Sequence, residues 1–220
     1  MDGNGRWAEQ RRKPRTFGHK NGITAAKRIL KAAISLHIEY VTLYTFSTEN
    51  WSRPKREVNY LMRLLKQHMR MDSDFYHSNR IRVRHSGSMD GLPEDVQKEI
   101  VKVQAATAEY DAVTAILAIN YGGRDEIMRA FAKYREAETG QNDQYSVEAF
   151  QNYLDNPDIP DPDLIIRTAG EMRLSNFLLW ESAYSELYFS DKLWPDWGPD
   201  DLLEALEHYS RRKRKFGGTT

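Results

Sequence analysis

Cysteine is absent from the 220-residue sequence, which excludes disulfide bonds and any thiolate-ligated metal site. An excess of either charge is also absent, since 32 Lys and Arg residues balance 32 Asp and Glu residues. This balance argues against a general nucleic-acid-binding protein, which would carry a basic excess. No apolar run reaches the ~18 residues that a membrane-spanning helix needs, and the first residues lack the apolar core of a signal peptide. These absences predict a soluble, cytoplasmic protein.

Several familiar catalytic motifs are missing as well. The sequence contains no Gly-x-x-x-x-Gly-Lys-Ser/Thr phosphate loop and no Gly-x-Gly-x-x-Gly dinucleotide fingerprint. It also has no His-Glu-x-x-His metal site and no Gly-x-Ser-x-Gly nucleophile elbow. The six histidines are scattered without the spacing of zinc ligands. Nucleotide-binding loops, zinc proteases and serine hydrolases are therefore excluded as explanations of its function.

Strand-like and helical segments alternate along the chain. The strand-like runs cover residues 40–46, 80–84, 112–119, 164–166 and 186–189. Helical spacing of apolar residues covers 18–36, 58–69, 94–109, 125–138, 147–154 and 200–214, whereas residues 1–17 are predicted to be a loop. This order predicts a single α/β domain over residues 1–220, with a mainly parallel central sheet surrounded by helices. Ligands of such sheets bind beyond the carboxyl ends of the strands.

The first segment with candidate chemistry lies at the start of the chain. Asp2 could bind Mg²⁺, whose usual protein ligands are one or two carboxylates completed by phosphate oxygens. Glycines on either side of Asn4 would let backbone N–H groups approach an anion, and Arg6 adds a charged donor. The alternative is an Asn-Gly turn with a solvated aspartate. Taken alone, this motif favours the alternative.

A second polar segment follows the strand at 40–46. Ser47, Asn50, Trp51 and Arg53 place a hydroxyl, an amide, an indole and a guanidinium in one connection. A plain connection would not need a tryptophan, although Trp51 could simply fasten the loop to the core. Functional and structural interpretations are equally supported here.

A third segment follows the apolar run 164–166. Arg167, Arg173 and Ser175 suit a diphosphate, because guanidinium groups bind phosphate oxygens in bidentate fashion. An ion pair with Glu171 is the structural alternative. Further on, Glu186 is an acid flanked by apolar residues, and it would need a cation or an arginine as its partner.

Together these segments resemble the cis-prenyltransferase family, in particular bacterial undecaprenyl diphosphate synthases. The matching segments occur in the same order over nearly the whole chain: 1–7, 17–19, 43–54, 120–124, 161–180, 183–189, 193–196 and 216–218. Such enzymes extend an allylic diphosphate, here expected to be farnesyl diphosphate, with isopentenyl diphosphate in the presence of Mg²⁺. The expected product is a long-chain polyprenyl diphosphate such as undecaprenyl diphosphate.

The resemblance implies a role for each matched residue. Asp2 would hold Mg²⁺ and assist ionisation, Asn50 would accept the proton, and Glu186 would be a second metal-associated carboxylate. The allylic substrate would be bound by Gly3, Asn4, Gly5, Arg6, Trp7, Arg15 and His19. A mobile lid would contribute Ser47, Thr48, Glu49, Trp51 and Arg53. Isopentenyl diphosphate would be bound by Arg167, Arg173, Leu174 and Ser175.

The family also implies a homodimer, with the region near 167–186 at its interface, and transient contact with a membrane surface for product release. An apolar tunnel would hold the growing chain. In the run 112–119, Val113, Ala115, Leu117 and Ile119 share one face, and we expect this face to line the tunnel.

Three positions depart from the family pattern. The family usually has a strand that runs into Met1-Asp2-Gly3, Met172 stands where relatives often have His or Gln, and Lys215 replaces an arginine. Two alternatives remain open. A non-catalytic partner subunit of a heteromeric prenyltransferase would lack the residues Asp2–Arg6 that are present here. A protein that merely binds a phosphate ligand would show no turnover.

Overall fold

The computed structural model describes residues 1–137 and 146–212. Lys215, the segment 216–218 and the last two residues of the predicted helix 200–214 lie outside the described residues. The helices are α1 (Asn4–Gln10), α2 (Arg15–Ser35), α3 (Lys55–Met71), α4 (Ser73–Ser78), α5 (Glu94–Thr107), α6 (Gly123–Ala137), α7 (Val147–Gln151) and α8 (Pro199–Ser210). The strands are β1 (Tyr40–Ser47), β2 (Ile81–Ser86), β3 (Val113–Tyr121), β4 (Leu164–Arg167) and β5 (Glu186–Phe189).

All paired strands run parallel, as the alternation of strands and helices predicts. Strand β3 lies between β1 and β2 in a three-stranded sheet, and β4 pairs with β5 in a separate two-stranded sheet. The mainly parallel sheet that we expected is therefore present, in two separately hydrogen-bonded parts. A cleft lined by β1 and β4 lies between them. The central position of β3 explains its nearly continuous apolar sequence, because both of its faces are covered.

The main hydrophobic core lies between the three-stranded sheet and helices α2, α3 and α5. Val113, Ala115 and Ile119 belong to this cluster, and Leu117 packs against it. The four residues therefore share one face, as their alternation predicts. That face is packed into the core and does not line the cleft between the sheets.

The expectation of a loop over residues 1–17 is wrong, because α1 occupies Asn4–Gln10 and α2 begins at Arg15. Gly3 makes the turn into α1 with φ 101°, a conformation that a side chain would strain. Helix α1 packs closely on α2, where a Cβ atom at Gly18 would collide with the backbone carbonyl of Asn4. Tertiary packing thus makes a helix of a segment that has too few apolar residues to predict one. Among the described residues, no helix is long and apolar enough to cross a membrane.

Candidate active site

Asp2 and Arg167 meet at the end of β4. Asp2 is held through its backbone, because its N–H donates to the Thr168 hydroxyl at 2.9 Å and its carbonyl accepts from Trp194 N at 3.0 Å. Its Oδ1 accepts from Gly3 N at 2.7 Å, and its Oδ2 lies 3.2 Å from Arg167 Nη2. Burial opposes ionisation, but the hydrogen bonds from Arg167 and Gly3 outweigh it and hold the pKa of the Asp2 carboxyl below its usual value. Asp2 is therefore an anion at neutral pH.

Arg167 also organises the loop that follows β4. Its Nη1 donates to Ser175 Oγ at 2.7 Å and to the carbonyl oxygen of Arg173. Four residues of this segment that are not glycine have positive φ, between 44° and 72°: Ala169, Ser175, Asn176 and Leu178. Such conformations cost energy and persist only where the surroundings enforce them. The contacts of Arg167 provide part of that enforcement and bring Ser175 toward Asp2.

Glu171 links the start of the chain to the same loop. One of its oxygens lies 3.2 Å from Arg6 Nη2, and the other lies 2.5 Å from Arg173 Nη1. The ion pair between Glu171 and Arg173 that we considered as an alternative is thus present. The Arg6 side chain is 47% exposed and the Arg173 side chain 64% exposed, so both guanidinium groups are accessible from solvent.

A second group of basic residues surrounds Glu57 on α3. Its carboxylate lies 3.0 Å from Arg53 Nη1, 3.7 Å from Arg15 Nε and 3.4 Å from His19 Nε2. Burial raises the pKa of the Glu57 carboxyl, but the charges of Arg15 and Arg53 outweigh it and the net shift is downward. The pKa of His19 is lowered mainly by burial, so its imidazole is neutral at pH 7. Glu57 thus gathers three predicted substrate-binding residues at one place.

Residues 48–52 form a short 3₁₀ helix after β1, and side chains of this helix make hydrogen bonds to two other parts of the protein. Trp51 Nε1 donates to Asn120 Oδ1 at 2.7 Å, and the Trp51 ring packs edge-on against Phe46. Glu49 Oε1 accepts from Asn176 Nδ2 at 2.7 Å. Trp51 does fasten this segment to the core, as the structural interpretation holds. Its contact with substrate stays a prediction.

Trp7 is largely buried and fixed within the protein. Its Nε1 donates to Asp196 Oδ1 at 2.6 Å, its ring stacks on Phe17, and Arg11 lies over it at 4.0 Å. These contacts make Trp7 the anchor of α1, and any contact with the allylic substrate would be made by its small exposed edge.

The cleft between β1 and β4 has a volume of about 1060 Å³. Nine predicted site residues line it: Asp2, Ser47, Glu49, Asn50, Arg53, Arg167, Arg173, Leu174 and Ser175. The remaining ones lie outside its lining: Gly3, Asn4, Gly5, Arg6, Trp7, Arg15, His19, Thr48, Trp51 and Glu186. Of these, Arg6 connects to the cleft through Glu171, and Arg15 and His19 connect to Arg53 through Glu57.

Glu186 stands apart from Asp2. In the parallel pairing of β4 and β5, Glu186 lies opposite Leu164, the first residue of β4. Arg167, which contacts Asp2, lies three residues further along β4, or roughly 10 Å away along the strand. Its carboxylate lies 2.5 Å from Arg212 Nη1. Glu186 therefore has the arginine partner that a half-buried acid needs, and one chain does not bring it beside Asp2. Its part in metal binding stays a prediction.

The donor set at Asp2 fits a magnesium ion completed by substrate. Within residues 1–137 and 146–212, no three His, Cys, Asp or Glu side chains converge to hold a metal by themselves. Asp2 is ionised and 44% exposed at the cleft. One carboxylate together with diphosphate oxygens and water is a usual environment for Mg²⁺. The residues present therefore fit this ion when a diphosphate is bound.

Sequence reasoning missed the residues that connect these groups. Glu57 pairs with Arg15 and Arg53. Thr168 hydrogen-bonds to the backbone of Asp2, and Asn176 hydrogen-bonds to Glu49 in the 3₁₀ helix. A signal existed for Glu57, which follows Arg53 by four residues at the start of a helix. For Thr168 and Asn176 the partners are more than 100 residues away, so no local pattern reveals them.

Comparison with known proteins identifies the family of the chain. Residues 1–217 match the family described as "Putative undecaprenyl diphosphate synthase". The isoprenyl transferase of Treponema denticola is 52% identical over 217 residues, covering 99% of this chain and 94% of the relative. That of Thermotoga maritima is 51% identical over 219 residues, with the same coverage.

Solved structures are similar too. Lavandulyl diphosphate synthase from Lavandula x intermedia, in complex with dimethylallyl diphosphate, has a TM-score of 0.94 at 35% identity, covering 99% of this chain and 95% of that one. A "probable undecaprenyl diphosphate synthase" from Campylobacter jejuni has a TM-score of 0.82 at 33% identity, covering 90% and 92%. With the parallel α/β fold and the matching motifs, these similarities show that the chain belongs to the undecaprenyl diphosphate synthase family of isoprenyl transferases.

Proposed function

We propose that this chain is a cis-prenyltransferase that condenses isopentenyl diphosphate onto an allylic diphosphate. Farnesyl diphosphate is the proposed starter, and a polyprenyl diphosphate such as undecaprenyl diphosphate is the proposed product. The observation that carries the proposal is the position of Arg167, which contacts both Asp2 and Ser175. One guanidinium thus joins the loop of the predicted allylic site to that of the predicted isopentenyl site.

Two basic groups beside one cleft suit two diphosphates. Arg53, with Arg15 behind it, would bind the allylic diphosphate, and Arg167 with Arg173 would bind isopentenyl diphosphate. Each arginine contacts a carboxylate, so a phosphate oxygen would replace or join Glu57, Glu171 or Asp2 as its partner. Bidentate guanidinium contacts provide both the charge and the geometry for this.

The reaction requires that negative charge on the leaving diphosphate be stabilised. Asp2 would hold Mg²⁺ against the diphosphate oxygens, where the ion would supply charge neutralisation as the allylic bond breaks. Arg167 keeps Asp2 ionised and fixes the direction of its carboxylate. The arginines around the cleft would bind the departing diphosphate in a fixed position, which is the preorganisation that lowers such barriers.

A new carbon–carbon bond then forms at the allylic carbon, and loss of a proton from the isopentenyl unit leaves a cis double bond. Asn50 lines the cleft, and its Oδ1 accepts from Ser47 N at 3.3 Å. An uncharged amide is a poor base, since proton transfer needs a matched pKa. We therefore assign Asn50 to positioning the proton, with a diphosphate oxygen or water as the final acceptor.

The growing prenyl chain would enter the apolar region between β3 and helices α2 and α3. The apolar character of this region supports such a path: Val113, Ala115 and Ile119 of β3 belong to one cluster with Ile29 of α2 and Leu61 of α3, and Leu117 packs against it. Because these side chains are packed into the core, the growing chain would have to displace them. Each buried methylene contributes roughly 0.8 kcal/mol, so elongation is favoured until side chains block it.

A homodimer in the cytoplasm and transient membrane contact complete the proposal. Exposed apolar side chains on α6, Met128 and Phe131, together with exposed Tyr184 in the predicted interface region, support a partner surface. The experiment that tests the function is an incubation of purified protein with farnesyl diphosphate, labelled isopentenyl diphosphate and Mg²⁺. A long-chain lipid product supports the proposal, whereas binding without turnover supports the phosphate-binding or non-catalytic alternatives.

A further inference from the structure

Charge is unevenly distributed in this formally neutral protein. Residues 11–71 contain 14 Lys and Arg but only three acids, Glu39, Glu49 and Glu57. The rest of the chain contains 18 Lys and Arg against 29 Asp and Glu. The overall balance therefore conceals a segment with a net charge of +11, which comprises α2, β1 and α3.

Helices α2 and α3 place many of these charges on one surface. They lie side by side and run in the same direction, because the Tyr60 hydroxyl contacts Thr16 O near their beginnings. Eleven residues later on α2, Lys27 pairs with Asp72, which follows the end of α3. We call the solvent-facing side of this pair the basic face and define it by Arg15, Lys20, Arg56, Arg63 and Arg70, all of which are exposed.

The acids near this surface do not neutralise it. Glu57 is shared among Arg15, Arg53 and His19, and Asp72 is shared between Lys27 and His68. Glu9 also pairs with Arg15, and Asp95 pairs with Lys66. Among the described residues, Arg56, Arg63 and Arg70 have no ion-pair partner. They recur every seven residues, so they project from the same side of α3. A groove of about 520 Å³ is lined by Arg56 and Arg63 of α3 and by Arg15 and Thr16 of α2, among others, and so lies between the two helices.

We propose that the basic face docks on an anionic lipid surface. Clusters of Lys and Arg on a helix surface are attracted to anionic membranes. An apolar side chain lies among the charges, since Met71 is 65% exposed and contacts Gln67 one turn before it. The face also adjoins the candidate active site, because Arg15 belongs to both. This inference rests on the proposed function, under which the product is a lipid that must reach a membrane.

The test is co-sedimentation of the purified protein with vesicles, in the absence of substrates. Vesicles of phosphatidylcholine and phosphatidylglycerol in equal parts should bind the protein, binding should weaken as salt rises, and pure phosphatidylcholine vesicles should bind little. The triple variant Arg56→Gln, Arg63→Gln, Arg70→Gln should bind the anionic vesicles at least ~10-fold more weakly, since each basic residue near such a surface contributes roughly fivefold.

A matched control removes three positive charges elsewhere. The variant Lys102→Gln, Lys133→Gln, Arg135→Gln changes exposed residues of α5 and α6 by the same net charge. It should bind the vesicles as the parent does. Equal losses in the two triple variants would show a net-charge effect and overturn the inference. Binding of duplex DNA by the basic face, with no vesicle binding by the parent, would overturn it as well.

Turnover in detergent with short soluble substrates separates the two proposals. The Arg56, Arg63, Arg70 variant should keep parental turnover there. If the parent protein is active but does not bind anionic vesicles, the docking proposal is refuted and the proposed function is unaffected. If the parent protein binds vesicles through the basic face but catalyses no condensation, the docking proposal is supported and the proposed function is refuted.

Discussion

Arg167 Nη2 lies 3.2 Å from Asp2 Oδ2, although 165 positions separate the two residues in the chain. The same guanidinium donates to Ser175 Oγ at 2.7 Å. The start of the chain and the loop after β4 therefore form one charged site. Each segment has an opposite charge of its own, Arg6 near Asp2 and Glu171 near Arg167, but the fold pairs Asp2 with Arg167 and Arg6 with Glu171.

Replacement of Asp2 by Ala should leave the fold intact and lower kcat at least ~100-fold, the scale of losing one group that stabilises transition-state charge. KM should change less, because the interaction strengthens as the leaving group ionises. Steady-state condensation kinetics, with circular dichroism as the folding control, measure this. Activity within a few-fold of the parent would refute the role given to Asp2.

Replacement of Arg173 by Ala should raise the KM for isopentenyl diphosphate, with a smaller effect on the allylic substrate. Losing a charged hydrogen bond costs about 1.5–3 kcal/mol, which corresponds to a rise of roughly 10- to 150-fold. Arg53→Ala is the matched control and should show the opposite preference. Equal effects on both substrates in each variant would show that the two diphosphates have been assigned to the wrong arginines.

Product length should respond to the face of β3 that packs against α2 and α3. Val113→Ala should lengthen the products by opening the far end of this region, whereas Ile119→Trp should shorten them by blocking the near end. These residues lie six positions apart, or roughly 20 Å along the strand. Chromatography of the dephosphorylated lipids measures the change. Parental product length in both folded variants would place the tunnel elsewhere.

Glu181 should lower the free energy of unfolding as pH rises from about 5 to 8, whereas His19 and His85, whose pKa values are lowered mainly by burial, should raise it over the lower part of this range. Burial, followed by the neighbouring charge of Glu126, raises the pKa of the Glu181 carboxyl to about 8. Between its unfolded and folded pKa values the native state holds a proton that the unfolded state has released. Stability is therefore lost with rising pH, by at most about 1.4 kcal/mol per pH unit for this group.

Glu181→Gln should remove this downward contribution, because an amide cannot ionise. In denaturant unfolding, the free energy of unfolding of the variant should therefore fall less, or rise more, with pH than that of the parent. Glu148→Gln, at an exposed position on α7, is the control and should keep the parental slope. If Glu181→Gln retains the full parental slope, other groups cause the pH dependence and the proton on Glu181 is not its source.

The sequence by itself determined the parallel α/β class and most of the elements, because apolar periodicity reports which faces are buried. Strand β3 is an example, since its continuous apolar run predicts the central strand that the structure contains. The sequence also supplied the candidate site residues, nine of which line the cleft, and their order along the chain identified the family. Apolar periodicity and local charge patterns are properties of neighbours in sequence, so they can be read without coordinates.

Tertiary structure alone decided which charges meet. Helix α1 exists because Gly3 and Gly18 let it turn and pack on α2, although its own sequence resembles a loop. Glu57, Thr168 and Asn176 acquire their roles from partners brought close by the fold. Electrostatic and hydrogen-bond energies depend on distances in space, and contacts across more than 100 residues leave no periodic trace in the chain.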